Sequence, residues 1–124
     1  MDIDHFKKIN DEHGHTLGDN VLSTLSSIVK EHIRTNDIFA RWGGEEFVLV
    51  CRDTRIEQAS LIAEKTREII ANFSFAENIH VTASFGVATL NANETLEQLF
   101  NNADKALYEA KNQGRNKVVI AEYL

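Results

Sequence analysis

The stretch Arg41-Trp42-Gly43-Gly44-Glu45-Glu46-Phe47 joins two strand-like runs, residues 37–41 and 46–52. Both runs contain β-branched and aromatic residues, which favour strands. The short segment between them holds two adjacent glycines, so it predicts a β-hairpin with a tight tip. Glycine also allows a ligand to approach the backbone closely, and two acidic residues follow at once. The stretch therefore predicts a central hairpin and a candidate site at its tip.

Apolar residues recur with helical spacing in three other segments, residues 21–33, 56–73 and 96–110. This spacing is typical of amphipathic helices that pack one face against a core. For the last helix, Thr95 and Gln98 form a predicted capping box at the start, and Gly114 is predicted to end it.

A shorter helix is expected over residues 5–12, with Asp4 as its N-cap. Further strand-like runs cover residues 79–90 and 117–121, and residues 1–3 resemble the tail of another strand. Gly86, inside one of these runs, predicts a bulge or a close backbone contact. The order β-α-α-β-β-α-β-α-β then predicts an α/β sandwich, with helices packed on a mixed central sheet.

The chain has 124 residues, of which 43% are hydrophobic and 26% charged, a balance typical of one globular domain. Its net charge of −6 gives no general attraction for nucleic acid or anionic membranes, so neither is expected as a partner. The single cysteine, Cys51, excludes an intrachain disulfide and suits a reducing, cytoplasmic compartment. No apolar run is long enough to span a bilayer, although a membrane-anchored parent protein would leave this segment unchanged.

Acidic residues mark two candidate metal positions. Asp2 and Asp4 follow the first predicted strand, and carboxylates are ligands that Mg²⁺ prefers. The alternative is that they are acids favoured by a helix N-terminus, which we prefer for Asp4 and leave open for Asp2. Glu45 and Glu46 are adjacent on a strand, so only one of them easily faces a given site. Their alternative interpretation is a turn followed by solvated glutamates.

Two polar pairs are candidate nucleotide contacts. Asn10 and Asp19 carry the amide and carboxylate that can pair with the N1–H and amine of guanine, although Asp19 could instead be a helix N-cap. Lys111 and Arg115 could neutralise phosphates, or could simply complement the C-terminus of the last helix. These alternatives stay open when each pair is taken alone.

Taken together, these segments resemble the GGDEF family of diguanylate cyclases. Five motifs occur in the family's order and cover the whole chain. They are Asp2-Ile3-Asp4-His5-Phe6-Lys7-Lys8-Ile9-Asn10-Asp11, His15-Thr16-Leu17-Gly18-Asp19, Gly43-Gly44-Glu45-Glu46-Phe47, Ser84-Phe85-Gly86-Val87-Ala88, and the closing segment from Ala103 to Asn116. The resemblance implies a fold like that of nucleotide cyclases and polymerase palms, with GGEEF on the hairpin.

The resemblance also implies roles for single residues. Asp2 and Glu45, with the carbonyl of Ile3, would bind Mg²⁺ or Mn²⁺, and Glu46 would be a further ligand or help to deprotonate the attacking hydroxyl. Asn10 and Asp19 would recognise guanine. The triphosphate would be held by Lys7, Lys111 and Arg115, with the backbone of Gly43 and Gly44 against the nucleotide.

The implied reaction joins two GTP molecules into cyclic di-GMP with release of pyrophosphate. Each GTP is held by one of two facing domains, so a homodimer is needed. Arg34-Thr35-Asn36-Asp37 matches the family's R-x-x-D inhibitory motif at the expected distance from Gly43. Arg34 and Asp37 would bind the product, which holds the two domains apart; the local alternative is a turn with a surface ion pair.

The family has a further helix and most of a first strand before this point. We therefore expect residues 1–124 to be a GGDEF catalytic domain without that helix and most of that strand. The alternative function is a catalytically silent module that binds cyclic di-GMP or GTP.

Overall fold

A mixed β-sheet with helices on both faces forms the framework of the protein. The computed structural model describes residues 1–122. Its elements in chain order are β1 (Asp2–Ile3), α1 (Phe6–His13), α2 (His15–His32), β2 (Ile38–Gly43), β3 (Glu46–Val50), α3 (Ile56–Asn72), a 3₁₀ turn (Ala76–Asn78), β4 (Ala83–Val87), α4 (Leu96–Asn112) and β5 (Val118–Ile120). The predicted element order and the mixed sheet are confirmed.

The sheet has the strand order β2-β3-β1-β4-β5. The central strand β1 runs antiparallel to β3 and β4, whereas β4 and β5 are parallel. Asp2 lies opposite Glu46 on one side and opposite Ser84 on the other. Residues directly opposite each other share a face of the sheet, so all three side chains lie on the same face.

The two faces of the sheet differ in chemistry. Ile3, Phe47 and Phe85 point into the main hydrophobic core, which they share with residues of α2 and α3. Strand alternation places Asp2 and Gly86 on the opposite face, where α4 packs. A Cβ on Gly86 would lie 2.1 Å from the carbonyl oxygen of Ala103 and 2.4 Å from the amide nitrogen of Leu107, both in α4. The predicted close contact at Gly86 is therefore confirmed, and it sets how near α4 approaches the sheet.

The capping box of α4 is present as predicted. The hydroxyl of Thr95 accepts from the Gln98 amide at 3.1 Å, and the Gln98 side chain accepts from the Thr95 amide at 2.8 Å. Gly114 follows the helix with φ of 111°, a conformation that favours glycine. Both ends of α4 are thus fixed by local sequence.

Two predicted N-caps are wrong. The residue before α1 is His5, with φ of 55° and no side-chain cap, while Asp4 lies one residue further back and bonds elsewhere. Asp19 is the fifth residue of α2, since that helix begins at His15 after Gly14. Gly14, whose φ of 86° is not helical, separates α1 from α2. The second helix therefore begins earlier in the sequence than its apolar stripe indicated.

Three of the strands, β3, β4 and β5, are shorter than the runs that predicted them. The hairpin strands β2 and β3 are confirmed, and only Gly44 and Glu45 separate them. Of the predicted residues 79–90, only those from Ala83 to Val87 form a strand, because Ile79 pairs locally with Phe75 after the 3₁₀ turn. The last strand keeps Val118–Ile120. Among the helices of residues 1–122, none is both long and apolar enough to cross a membrane.

Candidate functional site

The hairpin tip is an open surface with two glycines. Gly43 pairs with Glu46, and Gly44 has a φ of 51°, which favours glycine. The Arg41 side chain donates from Nε to the Gly44 carbonyl at 2.7 Å and so braces the turn. A Cβ on either glycine would meet nothing within 4 Å, so a ligand has room to approach the backbone here.

Beside this tip, Asp2 is a buried carboxylate with one unpaired oxygen. Its exposed fraction is 4%, and its Oδ1 has no hydrogen-bond partner among the described residues. Ile3 donates its amide to the Glu45 carbonyl at 3.3 Å, and Asp2 lies opposite Glu46. Glu45 is half-buried and Glu46 exposed. The sheet register therefore brings together the four residues predicted to hold a metal.

These residues fit a magnesium or manganese ion. A buried carboxylate oxygen without a donor costs free energy, and a cation at that oxygen would remove the cost. Within residues 1–122, no three side chains of His, Cys, Asp or Glu converge on one point. Mg²⁺ suits such a sparse set, since it keeps several waters and often binds one or two carboxylates together with substrate phosphates.

One of the predicted phosphate ligands, Lys111, contacts Asp2. Lys111, in the last turn of α4, donates from Nζ to Asp2 Oδ2 across the helix–sheet interface. A role limited to the helix C-terminus is therefore wrong for Lys111. Arg115 is exposed in the turn after α4, with φ of 65° and its amide bonded to the Ala110 carbonyl at 3.0 Å. Lys7 is exposed on α1.

The predicted guanine contacts meet where α1 and α2 pack. The side-chain oxygen of Asn10 is buried and has no hydrogen-bond partner within residues 1–122. It lies against Gly18, where a Cβ would be only 1.8 Å away. Asp19, the next residue, is exposed. An unpaired amide oxygen beside an exposed carboxylate suits a polar ligand that carries N–H donors.

Asp4 has a role that the sequence analysis missed. Its buried carboxylate accepts hydrogen bonds from Thr82 Oγ1 at 2.7 Å, Ser84 Oγ at 2.6 Å and the Asn116 amide at 2.9 Å. It thereby ties β1 to β4 and to the turn that carries Arg115. The available signal was Thr82 and Ser84, two polar residues at strand spacing within the otherwise apolar segment 81–88.

The Arg34–Asp37 pair forms a tight ion pair at the turn before β2. Arg34 Nη2 lies 2.8 Å from Asp37 Oδ1, and Nε donates to both carboxylate oxygens at 3.1–3.2 Å. The Asp37 side chain is 1% exposed and that of Arg34 43%. Hydrogen bonding from Arg34 lowers the pKa of Asp37 below its usual value. The pair therefore forms the turn with an ion pair that the local alternative describes, with the Asp37 carboxylate buried.

Comparison with known proteins agrees with this geometry. The family described as diguanylate cyclase, GGDEF domain, matches residues 1–117. Diguanylate cyclase DgcM of Escherichia coli K12 is 44% identical over 121 residues, which make up 98% of this chain and 30% of that protein. The chain therefore spans less than a third of this curated relative.

Two solved structures are similar to the whole chain. The active GGEEF domain of a diguanylate cyclase from Vibrio cholerae has a TM-score of 0.92 at 37% identity, covering 99% of this chain and 80% of that one. The GGDEF domain of DgcB from Caulobacter crescentus, in complex with c-di-GMP, has a TM-score of 0.91 at 32% identity, covering 98% and 75%. The predicted nucleotide-cyclase palm fold is therefore confirmed, and the chain belongs to the GGDEF family of diguanylate cyclase domains.

Proposed function

We propose that this domain is a diguanylate cyclase, which joins two GTP molecules into cyclic di-GMP and releases two pyrophosphates. The observation that carries the proposal is Asp2, a buried carboxylate with an unpaired oxygen beside the open tip of the GGEEF hairpin. Acidic groups next to a backbone that a nucleotide can approach suit phosphoryl transfer to a positioned hydroxyl.

In each half-reaction, the 3′ oxygen of one GTP forms a bond to the α-phosphorus of the other. The bond from that phosphorus to the pyrophosphate oxygen breaks, and the hydroxyl proton goes to a base. We assign this base to Glu46, because it is exposed on the same face of the sheet as Asp2. Because one domain holds one GTP, two copies must face each other, and the active unit is a homodimer.

A Mg²⁺ or Mn²⁺ ion bound by Asp2, Glu45 and the Ile3 carbonyl would neutralise phosphate charge that develops in the transition state. The chain itself orients the nucleotide. Asn10 and Asp19 pair with the guanine edge, since an unpaired amide oxygen and a carboxylate accept the donors that guanine offers and adenine does not.

The triphosphate is bound by cations on the α4 side of the sheet and on α1. Lys111 and Arg115 flank the end of α4, and Lys7 extends from α1. Lys111 bonds to Asp2, so a cation at Asp2 would free its ammonium group for phosphate. The open backbone at Gly43 and Gly44 lies against the nucleotide.

Product inhibition is the second part of the proposal. Arg34 and Asp37 form the inhibitory site, at which cyclic di-GMP binds and holds the two domains apart. An exposed guanidinium can donate to guanine O6 and N7 or stack on the base, and a carboxylate fixes its orientation. The DgcB domain of Caulobacter crescentus, which has the same fold, was solved in complex with c-di-GMP.

The test is to incubate the domain with GTP and Mg²⁺ and to separate the products by chromatography. Glu46→Gln should abolish cyclic di-GMP formation, whereas Glu57→Gln, an exposed acid on α3, should not change it. Arg34→Gln should let product accumulate to a higher level. Full activity of Glu46→Gln would refute its assigned role.

A module that only binds nucleotide is the second candidate, because the exposed Arg34 guanidinium can bind a ligand without any metal at Asp2. Cyclic di-GMP binding without any turnover of GTP, on the same sample, would select this function.

A further inference from the structure

Arg34 is held from a second direction by a loop distant in sequence. Its Nη2 donates to the hydroxyl oxygen of Thr54 at 2.6 Å, in addition to its bond to Asp37. The Thr54 hydroxyl in turn donates to the Arg52 carbonyl at 2.7 Å. Thr54 lies between β3 and α3, so the position of the exposed Arg34 side chain depends on this β3–α3 loop, residues 51–55.

Asp37 is occupied in holding Arg34. Its carboxylate accepts from the Arg34 backbone amide at 3.1 Å as well as from the guanidinium, and its side chain is almost completely buried. Asp37 therefore fixes the orientation of Arg34 within the proposed product site. Further contacts to a ligand would come from the surroundings of this pair.

Those surroundings include a second arginine. An open cavity of about 420 Å³ lies between the Arg34 turn and the β3–α3 loop. It is lined by Arg34, Thr35, Asn36, Arg52 and Asp53. Two arginines that line one opening suit a ligand with phosphate groups, because arginine matches phosphate geometry.

We infer that the β3–α3 loop is the second half of the product site, in which Thr54 positions Arg34 and Arg52 binds a phosphate of the cyclic dinucleotide. The inference rests on the proposed function, since it assumes that cyclic di-GMP binds at Arg34. Thr54 acts through Arg34, because its hydroxyl fixes one Nη2 hydrogen and so orients the guanidinium. Arg52 adds a charge that a cyclic dinucleotide with two phosphates can use.

The experiment is a calorimetric titration of cyclic di-GMP into the intact domain and four variants. Thr54→Val removes the hydroxyl at nearly constant shape, and Thr54→Ser keeps it. We expect Thr54→Val to weaken binding about tenfold, equivalent to about 1.4 kcal/mol, because the guanidinium loses the bond that orients it from the loop. Thr54→Ser should restore affinity, a rescue that loss of side-chain packing alone would not give.

Arg52→Gln should also weaken binding about tenfold and should reduce the dependence of Kd on salt, as expected when one phosphate contact is lost. Its matched control is Arg55→Gln, which removes a base of the same loop that does not line the cavity. This control should bind like the unsubstituted domain. The melting temperature of each variant is measured in parallel, so that loss of folding is recognised.

Each result decides a different point. If the unsubstituted domain binds and both Thr54→Val and Arg52→Gln bind equally well, the loop is not part of the site, while the product site at Arg34 stands. If Thr54→Ser is as weak as Thr54→Val, or if Arg55→Gln is as weak as Arg52→Gln, the specific roles are refuted. If the unsubstituted domain binds no cyclic di-GMP, the proposed product site itself is wrong, and this inference falls with it.

Discussion

Gly86→Ala tests how closely α4 approaches the sheet. The added Cβ would lie 2.1 Å from the Ala103 carbonyl oxygen and 2.4 Å from the Leu107 amide nitrogen, whereas ordinary contacts begin at 3.4 Å. Both obstacles are backbone atoms, so α4 must retreat by more than an ångström. Overpacking of this kind lowers the free energy of unfolding by about 3 kcal/mol. Replacing a strand glycine by alanine raises it by up to about 1 kcal/mol, because alanine loses less conformational entropy on folding. We expect a net loss of about 2 kcal/mol, equivalent to a fall of about 8 °C in Tm.

The free energy of unfolding is measured by urea titration with far-ultraviolet circular dichroism. Gly43→Ala is the matched control, because its added Cβ meets nothing within 4 Å and its φ is not in the left-handed region. We expect the control to change stability by no more than about 0.5 kcal/mol. Equal stability of the two variants would refute the described contact between β4 and α4.

Three other perturbations test the site. Gly18→Ala places a Cβ 1.8 Å from Asn10 Oδ1 and must turn that amide away. Since a gain in helix propensity of about 1 kcal/mol offsets the strain, we expect little change in stability but a KM for GTP raised about tenfold in steady-state kinetics. An unchanged KM would contradict the guanine contact. Lys111→Met leaves the buried Asp2 carboxylate without its cation. The free energy of unfolding in EDTA should therefore fall by about 2 kcal/mol. Mg²⁺ should raise the Tm of the variant more than that of the unsubstituted domain. An equal response of both proteins to Mg²⁺ would exclude a metal at Asp2. Hydrogen bonding from Arg34 lowers the pKa of Asp37 below its usual value. The stabilisation that this pair gives to the folded state is therefore complete above about pH 5 and is lost as pH falls through the lowered pKa. The difference in free energy of unfolding between the unsubstituted domain and Arg34→Gln should therefore stay constant from neutral pH to about pH 5 and shrink in stronger acid. Urea titrations at several pH values measure this difference. A difference that does not shrink would contradict the role of Arg34 in lowering the pKa of Asp37.

Features set by neighbouring residues could be predicted from the sequence. The hairpin follows from two glycines between strand-forming runs, and the α4 capping box follows from Thr95 and Gln98 three positions apart. The candidate metal residues could be grouped because a resemblance to a known family placed Asp2 beside Glu45. Sequence spacing alone left the role of Asp2 open, and the sheet register is what brings it opposite Glu46.

Contacts between distant residues could not be predicted in this way. The local sequence predicts Asp4 at a helix N-terminus, yet its bonds to Thr82, Ser84 and Asn116 cross 78, 80 and 112 residues. A buried acid at a strand end finds its donors only after the sheet has formed. The bond from Arg34 to Thr54 crosses 20 residues and depends on the path of the loop after β3, which no local pattern specifies.

The ring contact between Trp42 and Phe100 gives the domain a built-in optical reporter. Trp42 is the only tryptophan of the chain, stands next to Gly43, and is 65% exposed. Its ring stacks on Phe100 of α4 with 5.2 Å between centroids. Indole emission depends on the polarity around the ring, so a nucleotide that settles on the glycines, or a hairpin tip that moves against α4, changes the emission without any added label. Ligand arrival at the GGEEF tip can thus be followed in the unmodified domain in real time.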